Sequence, residues 1–139
     1  MKEILVGVDG SPESRKAADL AVEIARAIGA RIELACVIPP PAVQGPELQD
    51  PSEWERAERE YACTVLRELS GRCIEAGIQV DEVMPSGRPA ETLARMAAAS
   101  PISMIVVGHR GRNAVARVLM GSVADELAQT SPKPVLIVR

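Results

Sequence analysis

Gly108, Gly111 and the pair Gly121-Ser122 are the residues of this sequence best suited to chemistry at an anion. Two residues separate the first two glycines, and nine more precede Gly121. Glycine lets backbone N–H groups approach an anion without a side chain in the way. Gly121-Ser122 stands where a helix is expected to open, and free N–H groups with a positive dipole end would attract a second anionic oxygen there. The Ser122 hydroxyl can add a hydrogen bond. Gly108 and Gly111 alone read equally well as turn glycines; the three-part spacing is what favours phosphate. The sequence has no G-x-x-x-x-G-K-[ST] motif, so such a site would depend mainly on backbone donors.

Catalytic and metal-binding sets are not expected. His109 is the only histidine, and no Ser/His/Asp arrangement surrounds it. Cys36, Cys63 and Cys73 form no C-x-x-C pair. With one histidine they do not make a zinc site, and they read as reduced core thiols of a cytoplasmic protein. Arg110, Arg112 and Arg117 are the cations of the glycine loop; they can screen phosphate charge, although solvated loop arginines are the ordinary case.

The rest of the chain must position that loop. Its 139 residues suit one domain, 1–139, with 47% hydrophobic and 25% charged residues and a formal net charge of -3. No basic block is present, which argues against a nucleic-acid partner. The apolar runs are too short for membrane insertion, and the first residues do not read as a signal peptide. Trp54 and Tyr61 are the only aromatic residues. They lie seven apart on one expected helix face and read first as packing residues, with a partner-facing role left open by their place just after the 39–51 loop.

Short apolar runs alternate with helical periodicity. Strands are expected at 3–8, 31–38, 78–84, 102–107 and 135–138. The first helix follows a Ser11 cap and Pro12, and places Ala17, Ala21, Ile24 and Ile28 on one face up to Gly29. A proline-rich loop at 39–51, expected to be mobile, precedes a helix at 52–76. That helix opens on a Ser52/Glu55 capping box and buries Ala62, Val65, Leu66, Leu69 and Cys73. Helices at 89–99 and about 122–130 complete a βαβαβαβαβ order, which implies a parallel sheet covered on both faces. If the strands run 3-2-1-4-5, a ligand would sit beyond the carboxyl ends of the first and fourth strands. Asp9 and the glycine loop would then face each other across one cleft.

These features resemble the nucleotide-binding universal stress proteins over essentially the whole chain. The family pattern G-x2-G-x9-G-[S/T] matches Gly108, Gly111, Gly121 and Ser122; its opening strand matches "ILVGVDGS" and its closing strand "PVLIV". The resemblance implies a Rossmann-like α/β/α domain with a five-stranded parallel sheet in order 3-2-1-4-5, binding ATP, alone or with magnesium. By position it implies Asp9 near the nucleoside, Val37 against adenine and Gly87 at the adenine end. Gly108, Gly111, Gly121 and Ser122 would hold phosphates, with Val123 following on the helix. Relatives also pair their last strands across a two-fold axis, so a homodimer through 135–138 is expected. Three positions depart from the pattern: Cys36 replaces a frequent histidine, Ser103 an acidic residue, and His109 a serine or threonine.

The favoured function is an ATP-binding regulatory module of the stress response, with a protein partner the sequence does not name. Slow ATP hydrolysis or phosphotransfer on the same site is the second reading, and a nucleotide-independent interaction protein the third. Without a P-loop lysine or a general base, turnover is expected to be slow or absent.

Overall fold

Alternation along the first strand, β1 (Glu3–Gly7), sets the layers of the molecule. Ile4 and Val6 turn to one face and Leu5 to the other, and all three are fully buried. In the computed structural model, which describes residues 2–41, 50–99, 101–112 and 120–139, β1 is the centre of a five-stranded parallel sheet. The other strands are β2 (Arg31–Ala35), β3 (Val80–Val83), β4 (Ile102–Gly108) and β5 (Val135–Val138), in the order β3-β2-β1-β4-β5. Helices α1 (Pro12–Ile28) and α2 (Pro51–Glu75) cover one face, while α3 (Pro89–Ala97) and α4 (Ser122–Thr130) cover the other. This is the Rossmann-like α/β/α arrangement expected from the sequence.

Small residues bring α1 close to the sheet. Ser14, Ala17, Ala18, Ala21, Val22 and Ala25 are its buried residues. The expected stripe through Ile24 and Ile28 is corrected: Ile28 is 44% exposed and Ile24 only partly buried. The alanine face approaches the strands most closely, which turns the bulkier isoleucines to the rim. The Ser11 side chain accepts the Ser14 N–H at 3.1 Å, Pro12 follows it, and Gly29 closes the helix at φ 70°. All three features agree with the sequence.

At α2, Asp50 is the cap, accepting the Ser52 N–H at 3.0 Å, with Pro51 in the first turn. The expected Ser52/Glu55 capping box is therefore not the start of this helix. Aspartate caps as well as serine does, and proline fits the following position, so the helix begins one residue earlier. Its expected buried stripe, Ala62 to Cys73, is found unchanged. Cys63 is exposed, a correction to its reading as a core thiol, whereas Cys36 and Cys73 are buried. Strands β2 and β3 are shorter than expected; past Ala35 the Cys36 N–H still reaches the Val83 carbonyl at 3.1 Å, and an isolated Ile38–Ser86 bridge follows. Most of the 39–51 loop, and Arg117 in the glycine loop, lie outside the described residues.

Candidate functional site

The β1 ladder with its neighbours runs as far as Gly7, which pairs with Ala35 of β2 and Val107 of β4. Past these pairs the chains leave the sheet, and a cavity of about 360 Å³ opens. Its size is within the usual range for small-molecule sites. Val8 and Asp9 extend into it from β1, Cys36 to Pro39 from β2, and Gly108 to Arg112 from β4. The amino end of α4 contributes Gly121 to Ala124, and α2 contributes Glu58, Tyr61 and Ala62. One end is therefore apolar and the other is rich in backbone donors.

Asp9 ties two loops together. One carboxylate oxygen accepts the Ser11 N–H at 2.9 Å, and the other accepts the Arg112 N–H at 2.8 Å. Ser11 adds a hydroxyl hydrogen bond to the Arg110 carbonyl at 3.4 Å. The turn after β1 thus holds the glycine loop in place.

The three glycines serve close packing. A Cβ on Gly108 would stand 2.8 Å from the Glu13 carbonyl carbon and 2.9 Å from the Ser14 nitrogen, both backbone atoms of α1. On Gly111 it would stand 2.8 Å from Asp9 Oδ2. On Gly121 it would meet the backbone of Arg110, His109 and Gly111 at 3.2 to 3.4 Å. Gly121 also donates its N–H to the His109 carbonyl at 2.7 Å, so the two ends of the loop close on each other. His109 itself donates its N–H to the Val138 carbonyl at 2.6 Å.

Gly121 caps α4 with no side-chain hydrogen bond. The first-turn residues Ser122, Val123 and Ala124 all line the cavity, so the helix presents its N-terminal N–H groups there. Val37 lies half-buried in the lining just past β2, among the apolar Cys36, Ile38 and Pro39 and across β1 from β4. Gly87 is outside the lining: it donates its N–H to the Ile38 carbonyl at 2.9 Å, at φ 145°. The other positions expected at the site, Asp9, Val37, Gly108, Gly111, Gly121, Ser122 and Val123, are brought together. Burial above all, with the nearby Asp9 carboxylate, pushes the Cys36 thiol up to about 11, so it is a lining group and not a nucleophile. Among the described residues no group of three or more His, Cys, Asp or Glu side chains could hold a metal ion.

Two residues on α2 join the site without a signal in the glycine spacing. Tyr61 donates its hydroxyl hydrogen to the Asp9 carbonyl at 3.1 Å, and its ring lies 4.3 Å from the Arg112 guanidinium. Glu58, one turn earlier, accepts from Arg112 at 2.6 and 2.7 Å. Trp54, by contrast, packs against the core as expected. The available signal is the buried stripe of α2: residues one turn before Ala62 and Val65 must overhang the strand ends.

A model of the universal stress protein family matches residues 1–139. The chain belongs to this family. Universal stress protein YxiE of Bacillus subtilis is 30% identical, over 99% of this chain and 98% of its own. Among solved structures, universal stress protein UspA from Lactobacillus plantarum superposes with a TM-score of 0.88 at 28% identity, covering 99% of this chain and 97% of that one. A universal stress protein solved in complex with cAMP gives a TM-score of 0.76 at 30% identity, with 99% and 97% covered. No helix described in this universal stress protein is long and apolar enough to cross a membrane.

Proposed function

We infer that this universal stress protein binds an adenine nucleotide, ATP, in the cavity beyond β1 and β4 and acts as a nucleotide-dependent regulatory module. The observation that carries the reading is the convergence of the glycine loop and the amino end of α4 on one cavity. Those N–H groups suit anionic oxygens, and the half-buried Val37 end suits a flat, weakly polar base. The relative solved with cAMP supports an adenine nucleotide as the class of ligand.

In this reading Gly108, Gly111, Gly121, Ser122 and Val123 hold phosphates, Val37 packs on adenine with Gly87 behind that end, and Asp9 fixes the loop beside the sugar. Magnesium, where present, enters with the phosphates and offsets their charge. The protein works in the cytoplasm as a homodimer through β5, and a protein partner reads its nucleotide state. Slow hydrolysis is the weaker reading. Arg110 and Arg112 are each paired with a carboxylate, at Glu13 and Glu58, so neither is free to stabilise a migrating phosphoryl group while its pair holds.

Calorimetric titration tests the ligand class. ATP should bind once per chain, GTP more weakly because the Val37 end must accommodate a different base edge, and inorganic triphosphate more weakly still. Equal binding of all three would contradict an adenine site.

A further inference from the structure

Arg110 and Arg112 are the two arginines lining the cavity among the described residues, and the chain's own carboxylates hold both. The two pairs differ in placement. Arg110 donates to Glu13 at 2.8 Å, and Glu13 lies outside the lining. Arg112 donates to both oxygens of Glu58, and these two residues line the cavity together. Their side chains are only 27% and 19% exposed, so solvent screens this pair less than a surface one.

The guanidinium is held in two further ways. The Arg112 backbone is anchored to Asp9, and its side chain stacks on the Tyr61 ring. A planar guanidinium on an aromatic face can keep that stack while it exchanges one oxyanion partner for another. Carboxylate and phosphate oxygens are both strong acceptors for it. Burial works against the charge on Arg112, but Glu58 and Tyr61 outweigh it, and its pKa is raised. The side chain therefore stays a cation in either arrangement.

We propose that Glu58 is a specificity-determining residue: it occupies the Arg112 guanidinium in place of a nucleotide phosphate, and so sets how strongly the site discriminates ligands by their charge. The proposal rests on the nucleotide-binding reading given above. While Glu58 holds Arg112, an entering phosphate meets the carboxylates of Glu58 and Asp9, which both line the cavity. Each added phosphate charge raises that repulsion, and an uncharged nucleoside does not feel it. Displacing Glu58 gives Arg112 to the phosphate but leaves a carboxylate without its partner. The site thereby becomes a graded filter on phosphate charge.

Calorimetric titration of adenosine, AMP and ATP into the wild type, Glu58→Gln and the double variant Glu58→Gln/Arg112→Met tests this. Glutamine keeps the shape and a hydrogen bond to Arg112 while removing the charge. Glu58→Gln should bind ATP about tenfold more tightly, AMP with a smaller gain, and adenosine unchanged. The double variant should lose the ATP gain and leave adenosine unchanged, because with Glu58 neutral the difference belongs to Arg112. An equal change for all three ligands, no gain for ATP, or a gain that survives Arg112→Met overturns the proposal while leaving nucleotide binding intact. A wild type that binds none of the three overturns both.

Discussion

Asp9 and Arg112 are 103 residues apart in sequence, yet Asp9 Oδ2 accepts the Arg112 backbone N–H at 2.8 Å. With its other oxygen on the Ser11 N–H, this one carboxylate fixes the glycine loop to the start of α1. Asp9→Ala leaves both N–H groups without that acceptor and should cost about 1–3 kcal/mol of stability. It should also weaken ATP binding, because the loop loses its anchor. Asp9→Asn keeps one acceptor and should lose less. Urea denaturation with parallel calorimetry checks both effects; an unchanged Asp9→Ala variant would show that the bridge contributes nothing.

Glycine substitutions separate packing from chain flexibility. Gly108→Ala drives a methyl group against α1 backbone that has no room to yield, and should destabilise by about 1–3 kcal/mol. Gly71 lies inside α2, and a Cβ added there would meet nothing within 4 Å. Gly71→Ala should stabilise by about 0.5–1 kcal/mol, through better helix propensity and a less flexible unfolded chain. Thermal melts of the two variants should move in opposite directions.

A carboxyl pair between β1 and β2 should make stability depend on pH. Burial, and next the neighbouring Glu3, push Glu33 up from 4.5 to about 7, against an opposing pull from Arg31. The folded chain thus holds a proton that the unfolded chain releases at lower pH. The resulting stability is full below about pH 4.5 and is lost as pH rises through about 7. The melting temperature should fall across that window and Glu33→Gln should flatten the fall. The same slope in wild type and variant would assign the effect elsewhere.

Among the described residues β5 forms one edge of the sheet and pairs only with β4. The Pro134 and Val138 carbonyls accept from Ile105 of β4 and from His109 just past it, so by alternation the N–H and C=O of Ile137 face outward, available to a second β5. Light scattering at micromolar concentration should give a dimer mass, and Ile137→Pro, which deletes an outward donor, should shift it toward monomer. A monomeric wild type would remove β5 pairing from the account.

The alternation of strands and helices is legible in the sequence because the apolar runs are short, bounded by Gly or Pro, and the first four are followed by helical periodicity. The order 3-2-1-4-5 across the sheet is implied only by the family resemblance. The glycine spacing points to this cavity but does not reveal why Gly108 is glycine, since its neighbour Glu13 is distant in sequence. Glu58 and Tyr61 are not legible for a related reason. On a helix wheel they resemble any half-exposed polar residues, and only the passage of α2 over the strand ends brings them to the cavity. The α2 cap is ambiguous locally, where Asp50 and Ser52 are both good caps and Pro51 decides between them.

The central claim is that an adenine nucleotide occupies the cavity with its phosphates on the glycine loop and α4. Backbone amide NMR of the 139-residue chain, titrated with ATP, tests it residue by residue. The largest shifts are expected at Gly108, Gly111, Gly121, Ser122 and Val123, with a second group around Val37 and Asp9, and little change at the far ends of β1 and β4. Shifts absent from the glycine loop and the first turn of α4 at saturating ATP, or clustered on another face, would contradict it.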